Sequence, residues 1–268
     1  MERTDFHYNF LKNVIVRLDL QGVVDAEFLK IIPSIKTYLK ERNFNRLEEK
    51  TAAEINIELK QTGMVNDVKT LNNHSVYSFY DDVRGFSANL SSKYIILNIR
   101  STKYFPFEEY RDIVSDLYEI YKRNVDFIQP KRFGIRKDNV CIVDSLETVI
   151  RYFDSNYFGY FSKLDDIKTK ISNRKNHFEC DEKKINLFCD IFWGKNDVKE
   201  VYKVELDIDV YCDNQKLIES CLTSEELDKI NQLIFKIYNG ALTDEFVKLL
   251  SQDKDANFAG IEGIEYNE

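Results

Sequence analysis

The chain has 268 residues, with 43% hydrophobic and 31% charged side chains and a formal net charge of −8. That mixture can bury a sizeable core. The acidic balance argues against non-specific binding of nucleic acid, which rests on Lys and Arg. Nine glycines and three prolines argue against a glycine-rich cofactor fold and against long flexible linkers. No apolar run approaches the ~18–20 residues of a membrane span. Five cysteines without framework spacing and a polar opening at Met1–Asp5 point to a cytoplasmic protein with reduced thiols and no membrane contact.

In chain order, the first strand is Asn13–Gln21, with Val14, Val16, Leu18 and Leu20 on one face and Arg17, Asp19 and Gln21 on the other. A helix follows over about residues 26–42, its stripe made by Phe28, Ile31, Ile32, Ile35, Tyr38 and Leu39. Pro33 falls inside it and predicts a later start or a kink. A strand at 53–59 alternates cleanly, and strands at 76–80, 85–90 and 94–100 read as a meander. A second helix opens near Pro106 and carries Tyr110, Ile113, Val114, Leu117, Tyr118 and Tyr121 on one stripe.

The order then repeats after Pro130. A long strand or strand pair spans 132–143. A short helix spans 145–154 with Ser145 as its cap. Strands lie near 177–180, 185–193 and 201–211, followed by helices over 224–238 and 244–250, which Thr223 or Ser224 and Thr243 can cap. Consecutive strands with short connections predict an α+β fold, largely antiparallel, with helices on one face. The expected organisation is an N-terminal half (1–129), a C-terminal half (130–252) of similar strand-helix-strands-helix order, and a flexible acidic tail (253–268).

The clearest chemical feature is Val204–Tyr211, where apolar and acidic residues alternate. Period two puts Glu205, Asp207 and Asp209 on one face. One reading is a divalent-metal site serving phosphodiester chemistry. Same-face neighbours on a strand stand about 7 Å apart, so other elements would have to add ligands, and a neutralised face is the simpler reading. A neutralising partner exists in Arg132-Phe133-Gly134-Ile135-Arg136, whose arginines share a face with a gap at Gly134. Arg17 with Asp19, and Asn98 with Arg100, repeat the polar pattern. His177, Cys180 and Cys189 match no zinc spacing. No P-loop, GxGxxG or GxSxG occurs. No catalytic residue, metal ligand or cofactor is assigned.

Three stretches in order, Arg132-x-Gly134-Ile135-Arg136-x-x-Asn139, Leu206-Asp207-Ile208-Asp209-Val210-Tyr211, and Asn231-x-x-Ile234-Phe235 with Leu242-Thr243-Asp244-Glu245, resemble a sporadically distributed, uncharacterised family of prokaryotic proteins. Lys137 stands where that family usually has tyrosine. The resemblance implies no established activity. The patchy distribution associates the family with anti-phage defence or toxin–antitoxin-like cassettes. On residues it points to Arg132, Gly134, Arg136, Asn139, Asp207 and Asp209 as candidate ligand-binding positions, and to Thr243-Asp244. The leading expectation is a non-enzymatic binding or regulatory protein whose partner is another protein of the same cassette. The alternatives are a sensor of a small anionic ligand and a metal-dependent nuclease or nucleotide-processing enzyme using Glu205, Asp207 and Asp209.

Overall fold

Alternating strands need a layer on their apolar face, and the helices supply it. The computed structural model describes residues 6–59, 65–100, 105–160, 169–195, 200–252 and 256–267, without the side chains of 52–59 and 65–73. The elements are β1 (Tyr8–Asn9), β2 (Leu11–Gln21), α1 (Asp25–Glu41), β3 (Arg46–Leu59), β4 (Val65–Asp81), β5 (Phe86–Leu90), β6 (Tyr94–Ile99) and α2 (Ile113–Lys122). They continue with β7 (Gln129–Val143), α3 (Leu146–Tyr152), α4 (Ser155–Phe158), β8 (Ile171–Cys180), β9 (Lys183–Lys195), β10 (Glu200–Cys212) and α5 (Gln215–Cys221). The last are α6 (Ser224–Gly240), α7 (Asp244–Leu250), β11 (Ile261–Glu262) and β12 (Glu265–Tyr266). The chain is α+β, as expected from the sequence.

One antiparallel sheet runs in the order β3-β4-β5-β6-β2-β7-β10-β9-β8. In each half the first long strand lies beside the last: β2 next to β6, and β7 next to β10. These two long strands, β2 and β7, pair at the centre. The similar element order of the halves thus becomes two wings of one sheet, and the expected boundary at 129–130 falls on the opening residues of β7. This arrangement puts β7 between β2 and β10, which positions the site described below.

Apolar side chains of both wings form one core under the helices. On α1, Phe28, Ile31, Ile32, Ile35 and Leu39 are buried, each contributing about 1.5–3 kcal/mol by burial. Pro33 sits inside this helix without ending it. Its missing N–H cannot donate to the Leu29 carbonyl, and Leu29 is exposed to solvent. The stripe of α2 is buried as its spacing predicts, and Tyr121 donates to the Ser91 carbonyl at 3.0 Å. Ser145, Thr223 and Thr243 cap their helices by accepting from backbone N–H groups.

The C-terminal stretch departs from the expected flexible tail. Beyond the first residues of β2, β11 takes its place along β7, pairing Ile261 with Val143. Residues of β12 pair with β1, and Tyr266 packs on Tyr8 with ring centroids 5.1 Å apart. Asn267 donates from its backbone to the His7 carbonyl at 2.7 Å and from Nδ2 to the Phe6 carbonyl at 2.8 Å. A buried Ile261 and aromatic pairing hold this segment down; its acidic composition alone does not show that. Among the described residues, no helix is long and apolar enough to cross a membrane.

Candidate functional site: an arginine cleft on the open face of the sheet

On β10 the residues Val204, Leu206, Ile208 and Val210 are fully buried under the helices. Period two therefore turns Glu205, Asp207 and Asp209 to the opposite, helix-free face. The same parity on β7 brings Arg132, Gly134 and Arg136 to that face. The register places Gly134 between Arg17 of β2 and Tyr211 of β10, Arg132 opposite Asp19, and Arg136 opposite both Ile15 and Asp209. The arginine and acid strands are thus direct neighbours, a relationship that the sequence left open.

The face is laced by ion pairs. Arg136 grips Asp207 with two parallel bonds, Nε to Oδ1 at 2.8 Å and Nη2 to Oδ2 at 2.6 Å. Such fork-to-fork pairs are strong and directional. Arg132 Nη2 donates to Asp209 Oδ2 at 2.9 Å, and its guanidinium lies 4.4 Å from the centre of the Tyr211 ring. Asn186 Nδ2 also donates to Asp209 Oδ2, at 3.1 Å. Arg17 Nε donates to Asp19 Oδ1 at 2.8 Å. Lys203 Nζ donates to Glu205 Oε2 at 2.5 Å.

Gly134 forms the floor. A Cβ there would stand 2.9 Å from the Tyr211 Cβ and 3.3 Å from the Val210 carbonyl oxygen. The missing side chain opens a cleft of about 390 Å³ lined by Ile15, Arg17, Asp19, Arg132, Gly134, Arg136 and Asp209. The bond to Asp207 raises the Arg136 guanidinium further above its ordinary value. Burial raises the Asp207 carboxyl by more than Arg136 lowers it. Burial, with Glu205 and Asp207 nearby, also raises Asp138, whose Oδ1 is buried without a hydrogen-bond partner.

Chemically, this is a set of guanidiniums held in place by carboxylates. The three acids of β10 do not converge: Asp207 goes to Arg136, Asp209 to Arg132 and Asn186, and Glu205 to Lys203. Among the described residues, no group of three or more His, Cys, Asp or Glu side chains is placed to hold a metal. His177 Nδ1 bonds Asn186 Oδ1 at 2.5 Å, whereas Cys189 is buried on the core face, and all five cysteines are free.

Two motif residues lie elsewhere. Asn139 is an odd number of residues from Arg136, so it projects into the core side, where Nδ2 donates to the Leu206 carbonyl at 2.9 Å. It is not part of the arginine cleft. Thr243 caps α7 and donates to the Arg151 carbonyl at 2.7 Å, while Arg151 pairs with Glu245. Ile15, Arg17 and Asp19 complete the cleft. The alternation of β2 marked Arg17 and Asp19 as a polar face, but only the β2–β7 pairing attaches them to the site.

No protein-family model and no curated protein matches this sequence. Among solved structures, the Pct1 RNA triphosphatase of S. pombe in complex with the Spt5 CTD is similar at 6% identity, covering 87% of this chain and 84% of that one with a TM-score of 0.18. The same enzyme without the CTD is similar at 8% identity over 91% and 86% of the two chains, with a TM-score of 0.13. Scores this low establish no shared fold, and nothing about the site is carried over from them.

Proposed function

We propose that this is a non-enzymatic binding and regulatory protein that recognises an anionic group, phosphate or carboxylate, on a partner protein through the Arg17/Arg132/Arg136 cleft. The observation that carries this reading is the convergence of three guanidiniums on the Gly134 gap. Asp207, with a side chain only 5% exposed, anchors Arg136, whose side chain is 49% exposed. The acids thus preset the arginines, and an incoming anion meets donors that lose little freedom on binding. A shallow, open cleft on a broad sheet face suits a group presented by another macromolecule.

The cellular setting is part of the same proposal. Five free thiols suit a reducing cytoplasm. The family resemblance supports a cassette-encoded partner in a defence or toxin–antitoxin-like module. A small anionic ligand is the second reading, favoured by the volume of the cleft.

The test is native mass spectrometry of protein isolated from its host, alongside assays for nucleic-acid cleavage and nucleotide turnover with Mg²⁺. A stoichiometric protein partner and no turnover are expected. Metal-dependent turnover that is abolished by Asp207→Ala/Asp209→Ala would overturn the proposal in favour of an enzyme.

A further inference from the structure

A second cleft, of about 780 Å³, lies where the end of α1, the start of β3 and the turn after β4 meet. That volume falls within the ~300–1,000 Å³ of small-molecule sites. Lys36, Lys40, Asn43, Asn45, Arg46 and Arg84 supply its polar lining, and none of them borders the arginine cleft. Among the described residues, Asp81 is the only carboxylate that lines it, and Asp81 is 2% exposed. Its Oδ1 accepts from the backbone N–H groups of Val83 and Arg84, both at 3.0 Å, and its Oδ2 accepts from Arg84 Nε at 2.6 Å. A cationic cleft on a chain of net charge −8 is a local exception to the acidic balance.

The cations divide into matched and unmatched charges. Arg46 holds Asp82 with two bonds, at 3.0 and 2.9 Å, and also bonds Glu48. Arg84 is anchored by Asp81 and donates from Nη2 to the Arg42 carbonyl, which leaves Nη1 uncommitted among the described residues. Lys36 and Lys40 are exposed and four residues apart on α1, so they share one side of the helix. Neither has an ion-pair partner among the described residues. The last carbonyls of α1 are occupied: that of Leu39 by the Arg42 and Phe44 N–H groups, that of Lys40 by Asn43, and that of Arg42 by Arg84. The cleft also has an apolar side, where Leu47 and the 88% exposed Val83 line it.

From this we infer that the cleft beside the end of α1 binds a small phosphate monoester with an uncharged body. The dianion matches the two unpaired amines of Lys36 and Lys40, whereas a carboxylate would leave one of them unmatched. Arg84 Nη1 and the amides of Asn43 and Asn45 offer further donors to the phosphate oxygens, and the body lies against Leu47 and Val83. The site shares no lining residue with the arginine cleft, so it stands without the partner-recognition reading.

The test is calorimetric and NMR titration of the full chain at pH 7.5 with AMP and, separately, with adenosine, which has the same body without the phosphate. Saturation by AMP below about 1 mM, at least about tenfold tighter than adenosine, is expected, with resonances of Lys36, Lys40 and Asn43 perturbed. Lys36→Gln/Lys40→Gln should weaken AMP by about tenfold or more and leave adenosine unchanged. Arg132→Gln/Arg136→Gln should still bind AMP. The second ionisation of a phosphate monoester lies near pH ~6, so AMP should bind several-fold more weakly at pH 5, where the lysines keep their charge. AMP binding no tighter than adenosine, or unchanged in the lysine variant, would overturn the inference. Loss of AMP binding in the arginine variant, with the lysine variant unaffected, would also overturn it and place the phosphate in the arginine cleft. Should the lysine variant fail to fold, AMP titration of the arginine variant at the two pH values decides: tight binding that weakens at pH 5 supports the site, and no binding overturns it.

Discussion

Arg136 and Asp207 form a two-bond pair in which the acid is the buried member and the base the exposed one. That asymmetry predicts unequal effects of removing each partner. Arg136→Gln leaves a buried carboxylate without its counter-charge, a change that costs about 1–3 kcal/mol. Asp207→Asn leaves an arginine that can turn to water and should cost less. Urea melts of the two variants check the order, and equal losses would mean that the pair is not the support of the site.

Gly134 should tolerate no side chain. Gly134→Ala places a methyl 2.9 Å from the Tyr211 Cβ, so β7 and β10 must part locally. A loss of about 1–3 kcal/mol is expected from such overpacking. Because the methyl also fills the floor of the cleft, partner capture should fall by more than the change in stability explains. Thermal melts beside a capture assay separate the two effects.

Asp138 carries a pH prediction. Its folded-state carboxyl is raised above the ordinary 3.8 by burial and by Glu205 and Asp207. The folded protein therefore holds that proton more tightly than the unfolded chain does, and ionisation removes stability as pH rises from about 3.8 through the raised value. Asn13 lies opposite it in the β2–β7 register, and its Oδ1 is likewise buried without a partner. Asp138→Asn supplies an amide donor and removes the charge. It should stabilise the protein by about 1 kcal/mol near neutral pH, with the gain shrinking as pH falls through the raised value and gone below about 3.8. A melting temperature measured against pH for both proteins checks the sign.

The C-terminal segment is predicted to be structural. Deleting residues 256–268 removes the buried Ile261, the β11 pairing along β7 and the Tyr266–Tyr8 contact. Burial of Ile261 alone contributes about 1.5–3 kcal/mol, so the truncated chain should lose at least about 2 kcal/mol. A truncation as stable as the full chain would return this stretch to the status of a free tail.

Much of the fold was legible because it is local. The alternation of β10, the stripes of α1 and α2, and the caps at Ser145, Thr223 and Thr243 depend on neighbours within a few residues. Strand adjacency depends on pairings far apart in sequence. The alternation of Arg17 was visible, yet its place beside Gly134 follows only from the pairing of β2 with β7. Asn139 was grouped with Arg136 because both belong to one motif, although their odd spacing already assigns them to opposite faces of a strand. Lys137 and Asn231 met no sequence expectation as a pair, since they lie on different elements and nothing local couples a strand lysine to a helix asparagine. The polar character of the face was legible, and its division into self-paired acids and partly exposed arginines needed the register.

The central claim is that the arginine cleft recognises a partner. Affinity capture from the native host should be run in parallel with the unaltered protein and with Arg132→Gln/Arg136→Gln, after both are shown to be folded. A stoichiometric protein partner is expected on the first and its loss on the second. Equal capture by both would contradict it and move recognition away from the cleft.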